Sequence, residues 1–411
     1  MNKSVERDNL LSFFNSALES VQGRAAVKKY LHSNRIDSEK IALLAIGKAA
    51  SSMLEGAVDI LGDKIVTGLL ITKDGHLGDT EKFENIEYLL ASHPVPDERS
   101  LFAGNRLIEW LVALPADLPL VVLISGGTSS LVEKLPEGLG LSNIQKLNQW
   151  LLSSGMPIDQ MNRIRQSISL IKGGRLAIYT AGRPVIQLLI SDVPGDDPAV
   201  IGSGLFVANE SRSGSYGKLP TWLVEMQTRA ADSIVRSLST EQDIKTTVIA
   251  NNKIACVVVQ QNAEAAGYKG CIVSTSLDGD VVSCAAKIMA YVDVADTGCY
   301  VWGGETTTQL PEHPGRGGRN QHLALLLAQK IQDKPNIYIL CAGTDGTDGP
   351  TEDAGALVDS DSIRRGVQEG LEVNSALENA DAGTFLAASG DLVNTGPTGT
   401  NVMDLVIVLK V

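Results

Sequence analysis

The 411 residues are 44% hydrophobic and 20% charged with 40 glycines, which excludes a disordered chain and fits a globular α/β protein rich in strand-to-helix turns. One core is too few for this length, so two domains are expected. The formal net charge of -13, from 35 basic and 48 acidic residues without a dense Lys/Arg run, argues against a nucleic-acid partner. It still lets a few local cations hold a small anion in a cleft.

From Glu6 the chain shows helical periodicity, with Leu10, Leu11, Phe13, Phe14 and Leu18 on one apolar face. Charges are mixed through this start, which predicts no signal peptide, and no apolar run reaches the roughly 20 residues that span a bilayer. After two predicted helices come the strands IALLAIG (41–47), IVTGLLIT (65–72), IEYLLAS (86–92), PLVVLISGG (119–127) and PVIQLLISD (184–192). They are almost continuously apolar, with helical patterning between several of them, as in a parallel sheet covered on both faces. The charged helical segment 220–241 is expected to carry the connection to a second domain. The boundary is set near residue 240, and the amino-terminal helices are able to dock on the second domain. The second series begins near Thr246 with TTVIANN, then helical ACVVVQQNAEAAGY, GCIVSTS, helical VVSCAAKIMAYV, CYVWGGE, helical NQHLALLLAQKI, NIYILCAGTDG and MDLVIVLK (403–410). The five cysteines all lie in this half without CxxC spacing, which suits a reducing cytoplasm.

In an open α/β sheet ligands bind beyond the carboxyl ends of the strands, so polar residues there are the candidates. AIGKAASSM sets Lys48 after a strand, where an ammonium can meet a phosphate or a developing negative charge. It is not a Walker A loop, because Ala42 and Ala49 replace the required Gly and Ser/Thr, and a solvated surface lysine is the plain alternative. The run Ser125, Gly126, Gly127, Thr128, Ser129, Ser130 offers amides, hydroxyls and a helix start to an anion, and an N-cap alone would not require two glycines. ISDVPGDDPAVIGSG ends a strand at Asp192, a candidate general base or Mg²⁺ ligand, whereas Asp196 and Asp197 read better as turn residues. NRIRQSISLIKGGRLA sets Arg163, Arg165, Lys172 and Arg175 around a Gly-Gly break, with Lys172 and Arg175 spaced to share a helix face. An ordinary charged helix explains that segment almost as well.

Farther on, a strand is expected to end at Gly303-Gly304-Glu305, and a second glycine cluster leads Arg316 and Arg319 into a helix start, which suits bidentate binding of phosphate or carboxylate. Asp345 and Asp348 stand in Asp-Gly turns that also suit Mg²⁺. The Gly/Thr/Asn-rich run SGDLVNTGPTGTNVMDL, which holds Asn401, is a loop able to close over a nucleotide or a hydroxy acid.

In this order, IGKAASSM, SGGTSSL, IKGGRLA, SDVPGDDPAVIGSG, GGETT with GRGGRNQ, AGTDGTDGPTEDAGA and GDLVNTGPTGTNVMDL resemble the blocks of the glycerate 2-kinase family, also called the MOFRL family. The resemblance runs from residue 46 to 405. It implies ATP-dependent phosphorylation of D-glycerate at its 2-hydroxyl, giving 2-phosphoglycerate and ADP, with Mg²⁺ or a similar divalent metal. It also implies an α/β fold of two domains: residues 1–240 Rossmann-like with a parallel sheet, residues 241–411 a smaller α/β domain with a mixed sheet, and the active site in the cleft between them. The family's catalytic lysine and arginine correspond to Lys48 and to Arg316 or Arg319, with Asp192 a further candidate. Ser125, Gly126, Gly127, Thr128, Ser129, Gly303, Gly304, Glu305 and Asn401 are then expected at the nucleotide, and Asp345 and Asp348 at the metal. The chain departs from the family in having His322 for a common Glu, Thr128-Ser129-Ser130 for a further Gly or Ala, and IRQSIS for VRKHLS.

Two other readings stay open. A hydroxypyruvate reductase would need a nicotinamide site, yet the chain contains no GxGxxG. A sensor that binds a phosphorylated hydroxy acid without converting it needs fewer polar strand ends than are present. Neither GxSxG nor HExxH is present to support a hydrolase. A cytoplasmic enzyme is expected, without nucleic-acid or membrane partners, and with a homodimer as an open assembly state.

Overall fold

The apolar runs of the first half assemble into one sheet in the structure, a computed structural model that describes residues 4–77, 83–156, 158–208, 219–233 and 243–411. Strands β1 (Ile41–Ile46), β2 (Ile65–Lys73), β3 (Ile86–Ala91), β4 (Leu120–Ile124), β5 (Val185–Ile190) and β6 (Ile244–Ala250) lie in the order β3-β2-β1-β4-β5-β6. The pairings of β1 with β2 and β4, of β2 with β3 and of β4 with β5 are parallel. β1 and β4 are buried along their whole length, so both faces of the sheet need helical cover. Helices α1 (Val5–Val21), α2 (Gly23–Ser33), α3 (Ala50–Leu61) and α4 (Glu98–Ala113) are the first in the chain; from α4, Leu107 and Leu111 pack with Leu44, Ile46 and Leu189 of the strands.

From β1 the chain builds outward to β2 and β3 on one side, and from β4 to β5 and β6 on the other. That reversal opens a crevice at the carboxyl ends of β1 and β4, where an α/β sheet of this order takes its ligands. The short helix α5 (Thr128–Leu131) starts there. Helices α6 (Leu141–Ser153), α7 (Ile158–Ile168) and α8 (Thr221–Ser233) form a separate small core around Leu147, Leu151, Ile164, Ile168, Leu223 and Met226.

The later strands form a second sheet. β7 (Gly270–Asp280), β8 (Gly298–Thr307), β9 (Ile337–Gly343), β10 (Gly355–Val358), β11 (Leu392–Val393) and β12 (Asp404–Lys410) take the order β11-β10-β9-β12-β8-β7. Only the β7–β8 pairing among these is parallel, so the sheet is mixed, as expected. Helices α9 (Asn252–Ala265), α10 (Val281–Val294), α11 (Arg319–Ile331), α12 (Ser362–Gln368), α13 (Val373–Glu378) and α14 (Ala382–Ser389) belong to this half. Ile288, Leu325, Phe385 and Val406 mark its core.

The chain divides into two compact units, Gly23–Ile249 in one and the residues up to Gln22 with Ala250–Val411 in the other. This differs from a single cut near residue 240, a position that lies outside the described residues. TTVIANN does not open the second sheet: it becomes the edge strand β6 beside β5, where the Thr246 hydroxyl donates to Gln187 Oε1 at 2.9 Å. α1 belongs with the later unit because Arg7 is buried there. Its Nη2 donates to Leu357 O and to Asp391 Oδ1, each at 2.9 Å, and its Nη1 donates to Asp359. Among the described residues no helix is long and apolar enough to cross a membrane.

Candidate active site

The first loop of the crevice depends on Gly47, which leaves β1 at φ 132°. A Cβ there would lie 2.1 Å from Ser125 Oγ, so residue 47 must be glycine for the loops after β1 and β4 to touch. They are then tied together: the Lys48 amide donates to Gly126 O at 2.9 Å, the Ala49 amide to Ser125 Oγ at 3.0 Å and the Ser125 amide to Ile46 O at 3.1 Å. The Thr128 hydroxyl donates to Ile46 O at 3.0 Å and to Ser125 O at 2.8 Å. Ser125 and Thr128, expected at an anion, thus spend their hydroxyls on lashing the two loops together and shaping the site.

Three side chains gather over the glycines that follow. A Cβ on Gly126 would fall 1.9 Å from Asp192 Oδ2; one on Gly127 would fall 3.0 Å from His93 Cδ2 and 3.1 Å from Lys48 Cγ. Lys48, His93 and Asp192 therefore arrive from beyond β1, β3 and β5 onto one Gly-Gly turn. Burial first, and then the charges of Lys48, Lys73 and His76, bring the His93 pKa down to about 4. At neutral pH its imidazole is uncharged, a hydrogen-bonding wall and not a cation.

A cavity of about 480 Å³ opens from this turn, lined among others by His93, Gly127, Ser129, Arg165, Lys172 and Asp192. Ser129 faces it and accepts a hydrogen bond from Ser203 Oγ at 2.7 Å. Behind Ser129, Lys172 Nζ donates to Ser129 O at 2.7 Å and to Glu133 Oε2 at 2.6 Å, and Glu133 Oε1 accepts from Ser169 Oγ at 2.6 Å. The Lys172 and Glu133 side chains are only 3% and 5% exposed. Lys172→Met would strand the Glu133 charge, and a loss of about 3–5 kcal/mol in urea unfolding is expected, partly recovered when Glu133 is replaced as well. Lys172 and Arg175 do not share a helix face: Lys172 sits in a turn after α7, and Arg175 Nη1 donates to the carbonyls of Gln166, Ser169 and Lys172.

In the other unit several expectations change. β8 runs through Gly303, Gly304 and Glu305 to Thr307, so the strand does not end at the glycines. A Cβ on Gly303 would lie 1.6 Å from Asn252 Oδ1 and one on Gly304 2.1 Å from Leu277 O, so close packing within the sheet explains both glycines without a phosphate. Glu305 meets Arg319 at 3.0 Å. Arg319 also grips both oxygens of Asp404, at 2.6 and 3.0 Å. Burial works against its charge, but Asp404 and then Glu305 more than offset that and raise its pKa. Arg316, with its side chain 46% exposed, reaches Asp353 at 2.5 Å.

Asp348, expected at a metal, is a helix cap. Its Oδ1 accepts from the Asn320 amide at 3.0 Å and its Oδ2 from the Gln321 amide at 2.8 Å, at the start of α11. Burial raises its pKa to about 6 even though those amides oppose the shift. Asp345 Oδ1 accepts from the Thr347 amide and hydroxyl, each at 3.1 Å, and Asn401 Oδ1 accepts from the Met403 amide at 3.2 Å. No group of three or more His, Cys, Asp or Glu is placed to hold a metal among the described residues.

Residues 9–239 match a domain of unknown function, DUF4147, and residues 298–404 match the MOFRL family. A D-glycerate 2-kinase of Thermotoga maritima is 36% identical over 409 residues, which covers 96% of each chain. The chain belongs to the glycerate 2-kinase family. The crystal structure of a glycerate kinase from Thermotoga maritima superposes with a TM-score of 0.85 at 32% identity, over 99% of both chains. A putative hydroxypyruvate reductase of Agrobacterium vitis is 34% identical over 90% of this chain and 99% of its own. Three blocks of the glycerate 2-kinase resemblance, IGKAASSM, SGGTSSL and SDVPGDDPAVIGSG, are the ones that meet at the Gly126-Gly127 turn. The sequence alone assigns no distinct role to Arg165 or to the Lys172–Glu133 brace. The signal available was NRIRQSISLIKGG, whose charges stand where IRQSIS replaces the family's VRKHLS.

Proposed function

We propose that this member of the glycerate 2-kinase family transfers the γ-phosphoryl group of ATP to the 2-hydroxyl of D-glycerate, releasing 2-phosphoglycerate and ADP. The observation that carries the reading is the gathering of Lys48, His93 and Asp192 over Gly126-Gly127 at the strand-order reversal. Phosphoryl transfer asks a protein to hold two oxygens in line and to neutralise charge, and little else. Asp192 takes the proton of the 2-hydroxyl as its oxygen bonds to the γ-phosphorus and the bond from that phosphorus to the bridging oxygen of ADP breaks. The Lys48 ammonium balances the charge of the group in transit. His93, uncharged, bounds the pocket and adds no competing cation. Of the two arginines, Arg316 fits a phosphate better, since it is the more exposed and pairs with Asp353 alone among the described residues, whereas Arg319 is held by both Asp404 and Glu305.

Such a kinase implies Mg²⁺, which usually takes one or two carboxylates together with phosphate and water. Among the described residues no group of three or more ligands forms a preformed cage, so the ion fits best as a companion of ATP that meets a carboxylate such as Asp345. When bound it would offset phosphate charge. The five free cysteines suit the cytoplasm, and a homodimer is the assembly to look for by light scattering.

The reductase reading lacks its site: a nicotinamide dinucleotide needs its glycine fingerprint in the turn after β1, and here that turn reads Ile46-Gly47-Lys48-Ala49-Ala50. ADP release is to be measured with ATP, Mg²⁺ and D-glycerate, L-glycerate or hydroxypyruvate, the product being identified by phosphorus NMR. A 2-phospho product from D-glycerate is expected. Oxidation of NADH by hydroxypyruvate would replace this reading, and tight binding without ADP release would favour the sensor.

A further inference from the structure

α7 brings Arg165 to the wall of the cavity that Asp192, His93 and Ser129 also line. The partners of its guanidinium are amide oxygens. Nε donates to Asn148 Oδ1 at 3.2 Å, and Nη1 donates to Asn162 Oδ1 at 3.1 Å. Both asparagines line the same cavity. Amide oxygens aim a guanidinium but carry no charge, so the fork is oriented and no carboxylate among the described residues neutralises it. Burial lowers the Arg165 pKa with no carboxylate opposing the shift. Lys172, which lines the same cavity, is the contrast, because Glu133 already neutralises it at 2.6 Å. An oriented, half-buried cation facing a cavity is suited to a planar anion that two parallel N–H groups can hold.

We infer that Arg165, aimed by Asn148 and Asn162, binds the carboxylate of the acceptor hydroxy acid and so selects an acid over its neutral analogues. The inference rests on the kinase reading above, in which the hydroxyl beside that carboxylate is the one that reacts. Asp192 lines the same cavity, so an acid anchored by its carboxylate at Arg165 would share that space with the proposed base. A phosphate of the nucleotide, though tetrahedral, can accept from the same fork through two of its oxygens, and the kinetics separate the two sources.

The test is steady-state kinetics on the full chain with D-glycerate and with glyceramide, its uncharged amide. Arg165→Gln should raise the KM for D-glycerate about 10- to 100-fold, the usual effect of losing a charged hydrogen-bond pair, and leave the KM for ATP unchanged. The preference for D-glycerate over glyceramide in kcat/KM should fall by the same factor. Arg165→Lys should lie between, since it keeps the charge and loses the fork. If circular dichroism shows the glutamine variant unfolded, the lysine variant decides by the same ratio. A raised KM for ATP in place of glycerate would overturn the inference and assign Arg165 to the nucleotide; an equal loss for acid and amide would overturn it in favour of a structural role. Unchanged kinetics in Arg165→Gln beside an active wild type sinks this inference alone, whereas a wild type that does not phosphorylate D-glycerate sinks the kinase reading and this inference with it.

Discussion

Asp192→Asn is expected to lower kcat about 10²- to 10⁴-fold with D-glycerate and ATP saturating, the usual range for a lost general base. The fold should survive, because asparagine has the same shape and β5, which ends two residues earlier, is held by its pairing with β4 along its length. The carboxylate is pressed against Gly126, where an added Cβ would fall 1.9 Å from Oδ2, so its position is as testable as its identity. Gly126→Ala keeps the base but pushes it off the turn, and a loss of comparable size is expected. Near-normal turnover in a folded Asp192→Asn protein would remove Asp192 from the mechanism. A large loss in Asp192→Asn with none in Gly126→Ala would show that the base works from a second position.

Lys48→Met should cost about 100- to 1,000-fold in kcat, the effect of removing one preorganised donor from a developing charge. Methionine replaces the stem that lies beside Gly127, and the backbone of residue 48 is fixed on both sides. Its amide donates to Gly126 O at 2.9 Å, and its carbonyl is 2.9 Å from His76 Nδ1. A structural collapse is therefore not the expected cause of the loss, and His93 supplies an independent check. Lys48 is, after burial, the second cause of the low His93 pKa. In Lys48→Met that pKa should rise from about 4 yet stay below 6.5, as read by NMR titration of the ring. The linked stability follows in sign: a depressed histidine pKa contributes stability in full above 6.5, lost as pH falls towards 4. The variant should lose less stability over that window than the wild type. A His93 pKa that does not move would mean that Lys48 points away from the turn.

Five strands of the first sheet, β1 to β5, and the loops that end them could be read from residues alone, whereas the edge strand β6 was expected in the second series. What could not be read was which loops meet. Lys48 and Asp192 stand far apart in the chain, and only the order β3-β2-β1-β4-β5-β6 sets them over one turn. Two Gly-Gly pairs show the limit sharply. Gly126-Gly127 follows β4 and lies under Lys48, His93 and Asp192, whereas Gly303-Gly304 lies inside β8 against Asn252 and Leu277. The threonines after Glu305, with their preference for strands, were the clue that β8 continues. Asp348 sits in an Asp-Gly pair that reads as a turn, and its partners are amides 27 and 28 residues away, which no local pattern reports. Arg165 looked like one charge on an ordinary helix; its distinction lies in having asparagines for neighbours where a carboxylate would have silenced it.

The division of the chain has a consequence for how the molecule is made. Because α1 belongs with Ala250–Val411 while Gly23–Ile249 forms the intervening unit, the ribosome delivers the first helix long before most of its partners exist. The intervening unit is complete in sequence first and can close on itself while α1 waits. Arg7 must wait 352 residues for Asp359 and 384 for Asp391 before its charge is satisfied. A fusion or a deletion at the amino end thus alters the first-made piece of the unit that is completed last, and its effects belong in the timing of the final folding step.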